Sequence, residues 1–159
     1  MVQIYVEFFN LFCAGILAGI EVTVCFGLRA PLKVLDEQPQ IRIRQALIRK
    51  LILFVPAVFG LTAISGLAVA VLHGTAPGFV FRCLGVFAVL IWALATFIGT
   101  VPINEAVLAW QPNAPPANWK SLIKRWERLD AVRTWTALAA FAFFLAAVGL
   151  RLSETPVGQ

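Results

Sequence analysis

Residues 79–101 read FVFRCLGVFAVLIWALATFIGTV, an apolar run interrupted by a single charge, Arg82. That length matches the roughly 20 residues an α-helix needs to cross a hydrocarbon layer. Apolar and polar residues do not alternate along it, as they would in a barrel strand, and only helices or closed barrels satisfy their backbone in lipid. Working outward, three similar blocks run from about Ile4 to Leu28, Leu47 to Leu72 and Ala131 to Leu150. The sequence thus predicts an all-α fold, a four-transmembrane-helix bundle forming one domain over residues 1–152, with a short tail at 153–159. Composition agrees: 60% of the 159 residues are hydrophobic and 13% charged, against about 25% charged in a soluble domain.

The net charge of +5 does not point to nucleic acid, because the cations are not spread over a soluble face. Arg29, Lys33, Arg42, Arg44, Arg49 and Lys50 sit in the loop before the second block, and Lys120, Lys124, Arg125, Arg128 and Arg133 in the segment before the fourth. The turn at His73–Gly78 has only Arg82 nearby. By the positive-inside rule both long loops are expected in the cytoplasm and both termini outside, in a multi-pass protein of the cell membrane. The first block has no basic residue before it and no small-residue cleavage site with a hydrophilic chain after it, so it reads as a span and not as a signal peptide.

Pro31 is expected to end the first helix, while Pro39-Gln-Ile-Arg-Ile-Arg44 either lies at the interface or begins the second. Gln111-Pro-Asn-Ala-Pro-Pro116 reads as a turn-forming linker, after which Asn118 is positioned to cap a helix opening at Trp119. That helix is expected to project from the membrane into span four, placing Trp119, Trp126 and Trp135 near the headgroups. Cys13, Cys25 and Cys83 read as small buried hydrophobes, and His73, the one histidine, as a solvated turn residue. Gly15-x-x-x-Gly19 fits close packing within the bundle or a contact in a homo-oligomer.

The informative residues are those a membrane helix accommodates at a cost, roughly 2.5 to 3.5 kcal/mol for an ionisable group on insertion scales. Glu21 lies inside the first block and shares a helical face with Ala14, Ala18 and Cys25. Thr96, Thr100 and Asn104 align at four-residue spacing if the third helix survives Pro102. Trp126, Asp130 and Arg133 share a face at i, i+4, i+7. Glu21, Asn104, Glu105, Asp130 and Arg133 fall at a similar depth and predict a polar cluster opening toward the cytoplasm. One reading is structural, with Glu21 paired to Arg133 to fix helix register. The other is functional, since a desolvated carboxylate is a stronger base. One histidine excludes a bis-His haem, and no Cys/His group has metal-site spacing. A site of carboxylates alone, from Glu21, Glu105 and Asp130, stays open.

Pro102-Ile-Asn104-Glu105, the later Trp119, and Arg125-Trp126-Glu-Arg-Leu-Asp130-Ala-Val-Arg133-Thr134, together with Ala18-Gly-Ile-Glu21, resemble the anthrone oxygenase-like family of small four-span membrane proteins. The resemblance implies oxidation of an anthrone to an anthraquinone by dioxygen without a metal or flavin. It covers most of the chain and carries over to Asn104, Trp126, Arg133 and Glu21. Asp130 stands where the family pattern more often has His or Asn. On this resemblance, Glu21 or Asp130 is the base, Arg133 and Asn104 stabilise the enolate oxygen, and Trp126 with span phenylalanines forms aromatic walls; Glu105 is grouped with the substrate-binding residues.

Two other classes compete. A lone span-one glutamate also resembles small multidrug exporters, although their weak charge bias and compact loops differ from this chain. A non-catalytic membrane partner would use the cluster only to lock the bundle.

Overall fold

The computed structural model describes residues 2–154 and contains four helices long and apolar enough to cross a membrane: α1, Val2–Lys33; α2, Glu37–His73; α3, Phe79–Ala109; and α4, Trp119–Glu154. Each extends past its apolar block because the flanking polar segments also coil. From residue 155 on, the expected tail lies outside the described residues. α1 packs on α2 and α4, and α3 packs on α2 and α4, so the four close a ring. Outward-facing Leu53, Ile64 and Ile98 are exposed, as lipid-facing side chains are in a chain whose solvent is hydrocarbon.

One expectation about helix ends is corrected and one open choice is decided. α1 does not stop at Pro31. After a π-helical stretch, Thr23–Leu28, an α-helical turn resumes over Arg29–Lys33 and carries the helix two residues past Pro31. The Ile41–Arg44 segment belongs to α2 and is not an interfacial helix: α2 opens at Glu37 with Pro39 in its first turn, and Ile41 is fully buried. α3 does continue through Pro102. It accommodates the proline with a π-helical stretch, Ala95–Thr100, in which the Val101 N–H donates to the Thr96 carbonyl five residues back.

The core is layered along the bundle. Ala14 of α1, Ala88 and Val89 of α3, and Ala140 and Phe144 of α4 pack near the end that carries the termini. The Phe144 ring leaves no room for a Cβ at Gly66 or Gly85, where one would lie 2.8 and 2.7 Å from it. Next come Leu17, Ala18, Val55, Val58, Trp92 and Ala137, with Phe59 stacked on Trp92 at 4.8 Å between centroids. At the end that carries the long loops, Ile41, Ile103, Val107, Trp119 and Ile123 form a third cluster. Trp119 is therefore a core residue and not a headgroup anchor. Trp135 stays exposed.

The His73–Gly78 turn is held from inside. The Arg82 guanidinium, fully buried, donates to the carbonyls of Ala76 at 2.7 Å, Pro77 at 2.9 Å and Gly74 at 3.3 Å. Gly78 is left-handed, φ +83°, and an added Cβ would lie 2.7 Å from the Ala147 carbonyl oxygen, so both conformation and space require glycine. His73 is not solvated: its Nε2 lies 3.1 Å from Glu7 Oε1, and Arg151 reaches Glu7 Oε2 at 2.6 Å. Asn10 donates to Ser65 Oγ and the Thr62 carbonyl. These contacts fasten α1 to α2 and α4 at the terminal end. Cys13 and Cys25 are buried as expected, whereas Cys83 is exposed, and all three are free thiols.

Candidate functional site

Between the middle and long-loop core layers the four helices leave a cavity of about 170 Å³. Helix geometry accounts for its position. Just past Glu21 in α1 and Trp92 in α3, the two π-helical stretches interrupt the regular 3.6-residue register of their helices. Val24 and Leu28 from the first stretch and Thr96 from the second line the cavity, facing Leu47, Leu51 and Ile52 of α2. The exposed lining residues are Ile52 and Pro56, on the flank of α2. Val107 and Ile123 of the third core cluster line the cavity at the long-loop end.

Most of the polar wall comes from α1, α3 and α4, and α2 adds Arg44. Glu21 is 1% exposed, and its Oε1 accepts hydrogen bonds from Arg133 Nη2 and from Trp92 Nε1, the latter at 3.1 Å. The Arg133 guanidinium also lies 4.9 Å from the centroid of the Trp92 ring. Asp130, one turn earlier on α4, accepts from Arg29 Nη2 at 2.7 Å. Each carboxylate keeps one oxygen, Glu21 Oε2 and Asp130 Oδ1, without a hydrogen-bond partner among the described residues. Trp126 Nε1 donates to Asn104 Oδ1 at 3.0 Å, fixing ring and amide against each other across α3 and α4.

Glu21, Asn104, Trp126, Asp130 and Arg133 therefore line one cavity. Glu105 does not join them. It is exposed, because one residue along a helix turns the side chain about 100° away from the Asn104 face. The three carboxylates Glu21, Glu105 and Asp130 thus do not converge. Thr100 also leaves the expected stripe: it is buried but does not line the cavity, because the π-helical stretch breaks the four-residue register, and its hydroxyl donates to the Ala95 carbonyl. Trp126 faces inward and is not a membrane anchor.

Sequence reasoning missed three groups here. Arg29 and Arg44 read as loop charges, yet both line the cavity, and the Arg44 side chain is only 6% exposed. Trp92 read as one apolar residue among many until its indole met Glu21. Helical spacing puts Arg44 on the face of Ile41, Gln45 and Ile48, which permits its burial without requiring it, and no such spacing marks Arg29. The sole signal for Trp92 was its polar N–H within an apolar run, which needs a buried partner.

The wall can hold a flat apolar molecule against Trp126, accept a proton on a desolvated carboxylate, and present guanidinium and amide groups to an oxygen that gains charge. Neither curated proteins nor solved structures give a match to the chain. Residues 46–143, which include Asn104, Trp126, Asp130 and Arg133, match the anthrone oxygenase family, and with well over half of its length matched the chain belongs to that family.

Proposed function

We propose that the protein is a membrane oxygenase that oxidises the activated methylene of an anthrone-like lipophilic aromatic to a carbonyl. The carrying observation is the convergence of two arginine-paired buried carboxylates on an apolar cavity in a chain of this family. An anthrone C–H flanked by two rings is acidic, because its conjugate base is an aromatic enolate. Glu21 or Asp130 takes that proton, and Arg133 and Asn104 face the enolate oxygen. The carbanion adds dioxygen to form a C–O bond, and the resulting hydroperoxide loses water to leave the ketone. One oxygen atom ends in the carbonyl and the other in water, so dioxygen accounts for all four electrons, and the proposal calls on no bound metal or flavin.

Purified protein in detergent, supplied with emodin anthrone under air, is expected to form quinone faster than a detergent blank and faster than the Glu21→Gln, Arg133→Ala double variant. The blank matters because anthrones autoxidise. A rate no greater than the blank would remove the anthrone reading and favour a partner or transport role.

The basic long loops are placed in the cytoplasm and both termini outside, on the charge distribution alone. In a variant whose own cysteines are replaced by serine, Thr75→Cys is expected to react with an impermeant maleimide on intact cells. Ala117→Cys is expected to react after permeabilisation alone; the reverse pattern inverts the orientation.

A further inference from the structure

The cavity lining holds three guanidiniums, Arg29, Arg44 and Arg133, and two carboxylates, Glu21 and Asp130. Arg29 is paired with Asp130 and Arg133 with Glu21. Glu127, outside the cavity, is held by Lys33 at 3.0 Å, and Arg44 Nη2 reaches it at 3.5 Å, beyond the spacing of a good charged hydrogen bond. Arg44 Nε and Nη2 are buried and make no hydrogen bond among the described residues. The guanidinium lies 5.5 Å from the centroid of the Trp126 ring, so the cation and an aromatic surface stand together in the cavity wall. This buried guanidinium shares Glu127 with Lys33 and feels the Asp130 charge, but its Nε and Nη2 are left without hydrogen bonds, and an anion with its own apolar body would supply them.

We infer that Arg44 is the specificity-determining residue of this cavity, selecting aromatic ligands that bear an acidic group, a carboxylate or phenolate, over neutral ones of the same shape. The acidic oxygen meets the Arg44 guanidinium while the ring system lies along Trp126 and the α2 wall of Leu47, Leu51 and Ile52. The inference rests on the cavity being the substrate site, but not on the oxidation itself. It assigns Arg44 a role in recognition, distinct from the proton transfer given to Glu21 or Asp130.

The test is binding of anthraquinone-2-carboxylate and of the neutral 2-methylanthraquinone, followed by quenching of tryptophan fluorescence in detergent, with micelle partition subtracted. Wild-type protein is expected to bind the carboxylate at least ten-fold tighter. In Arg44→Gln the two affinities should become equal through loss of carboxylate binding, with the neutral affinity kept, which also establishes that the variant is folded. Arg44→Lys should retain part of the preference. Equal affinities in wild type, absence of binding by either probe, or an undiminished preference in Arg44→Gln each overturn the assignment. If Arg44→Gln does not fold, the wild-type comparison and Arg44→Lys decide. Failure of the anthrone assay alongside a ten-fold carboxylate preference removes the oxygenase reading and leaves the recognition site standing.

Discussion

Arg133→Leu is expected to lower the unfolding free energy by about 3–5 kcal/mol, because it leaves the Glu21 carboxylate buried without its counter-charge. Glu21 is 1% exposed and its remaining donor is the Trp92 indole, a neutral group that cannot balance a full negative charge. The guanidinium also loses its place against the Trp92 ring, removing a further contribution of about 0.5–2 kcal/mol. The loss belongs to the unpaired partner and not to the pair as such. The double variant Glu21→Leu, Arg133→Leu should therefore recover most of the stability, since replacing a buried ion pair with apolar side chains is often neutral. Unfolding in detergent, followed by circular dichroism against added sodium dodecyl sulfate, measures both. A single variant within about 1 kcal/mol of wild type would mean that the pair is solvated in the bilayer. A double variant as unstable as the single one would mean that the cluster is needed for packing.

The four spans were legible because a bilayer imposes a length and a composition that few other constraints imitate. The face made by Trp126, Asp130 and Arg133 was legible for a related reason: α4 is an unbroken helix there, so spacing alone aligns them. Legibility fails where the helix departs from 3.6 residues per turn. The π-helical stretch before Pro102 takes Thr100 off the face that Thr96 and Asn104 share, and nothing in the residue types announces it. It fails again where one residue type has two uses. Arg29 and Arg44 satisfy the positive-inside pattern equally well in solvent or folded back against α4, and only the tertiary partners Asp130 and Glu127 decide. Glu7 shows the opposite failure, because the cost argument that marks Glu21 applies to it too. It escaped notice near the start of the first block, while its partners His73 and Arg151 lie at the far ends of other helices.

The second large effect is kinetic: Glu21→Gln is expected to slow anthrone oxidation by a factor of about 10²–10⁴, the range general-base catalysis contributes. Glutamine keeps the size of the side chain and an oxygen that can accept from Trp92 and Arg133, so the wall of the cavity is preserved. It cannot take up a proton at neutral pH. Asp130→Asn is the parallel variant, and the two separate the candidate bases. A large loss in one and a small loss in the other names the base; equal small losses, with both proteins folded, would mean that the arginines alone accelerate the reaction. Glu21→Gln also leaves Arg133 charged and unbalanced, so some stability will be lost, and rates must be normalised to folded protein by size-exclusion chromatography. Binding separates the two effects. If Glu21 acts as a base, quinone affinity stays near wild type while turnover falls. If Glu21 only positions Arg133, affinity and turnover fall together, and restoring an acid with Glu21→Asp would not recover the rate.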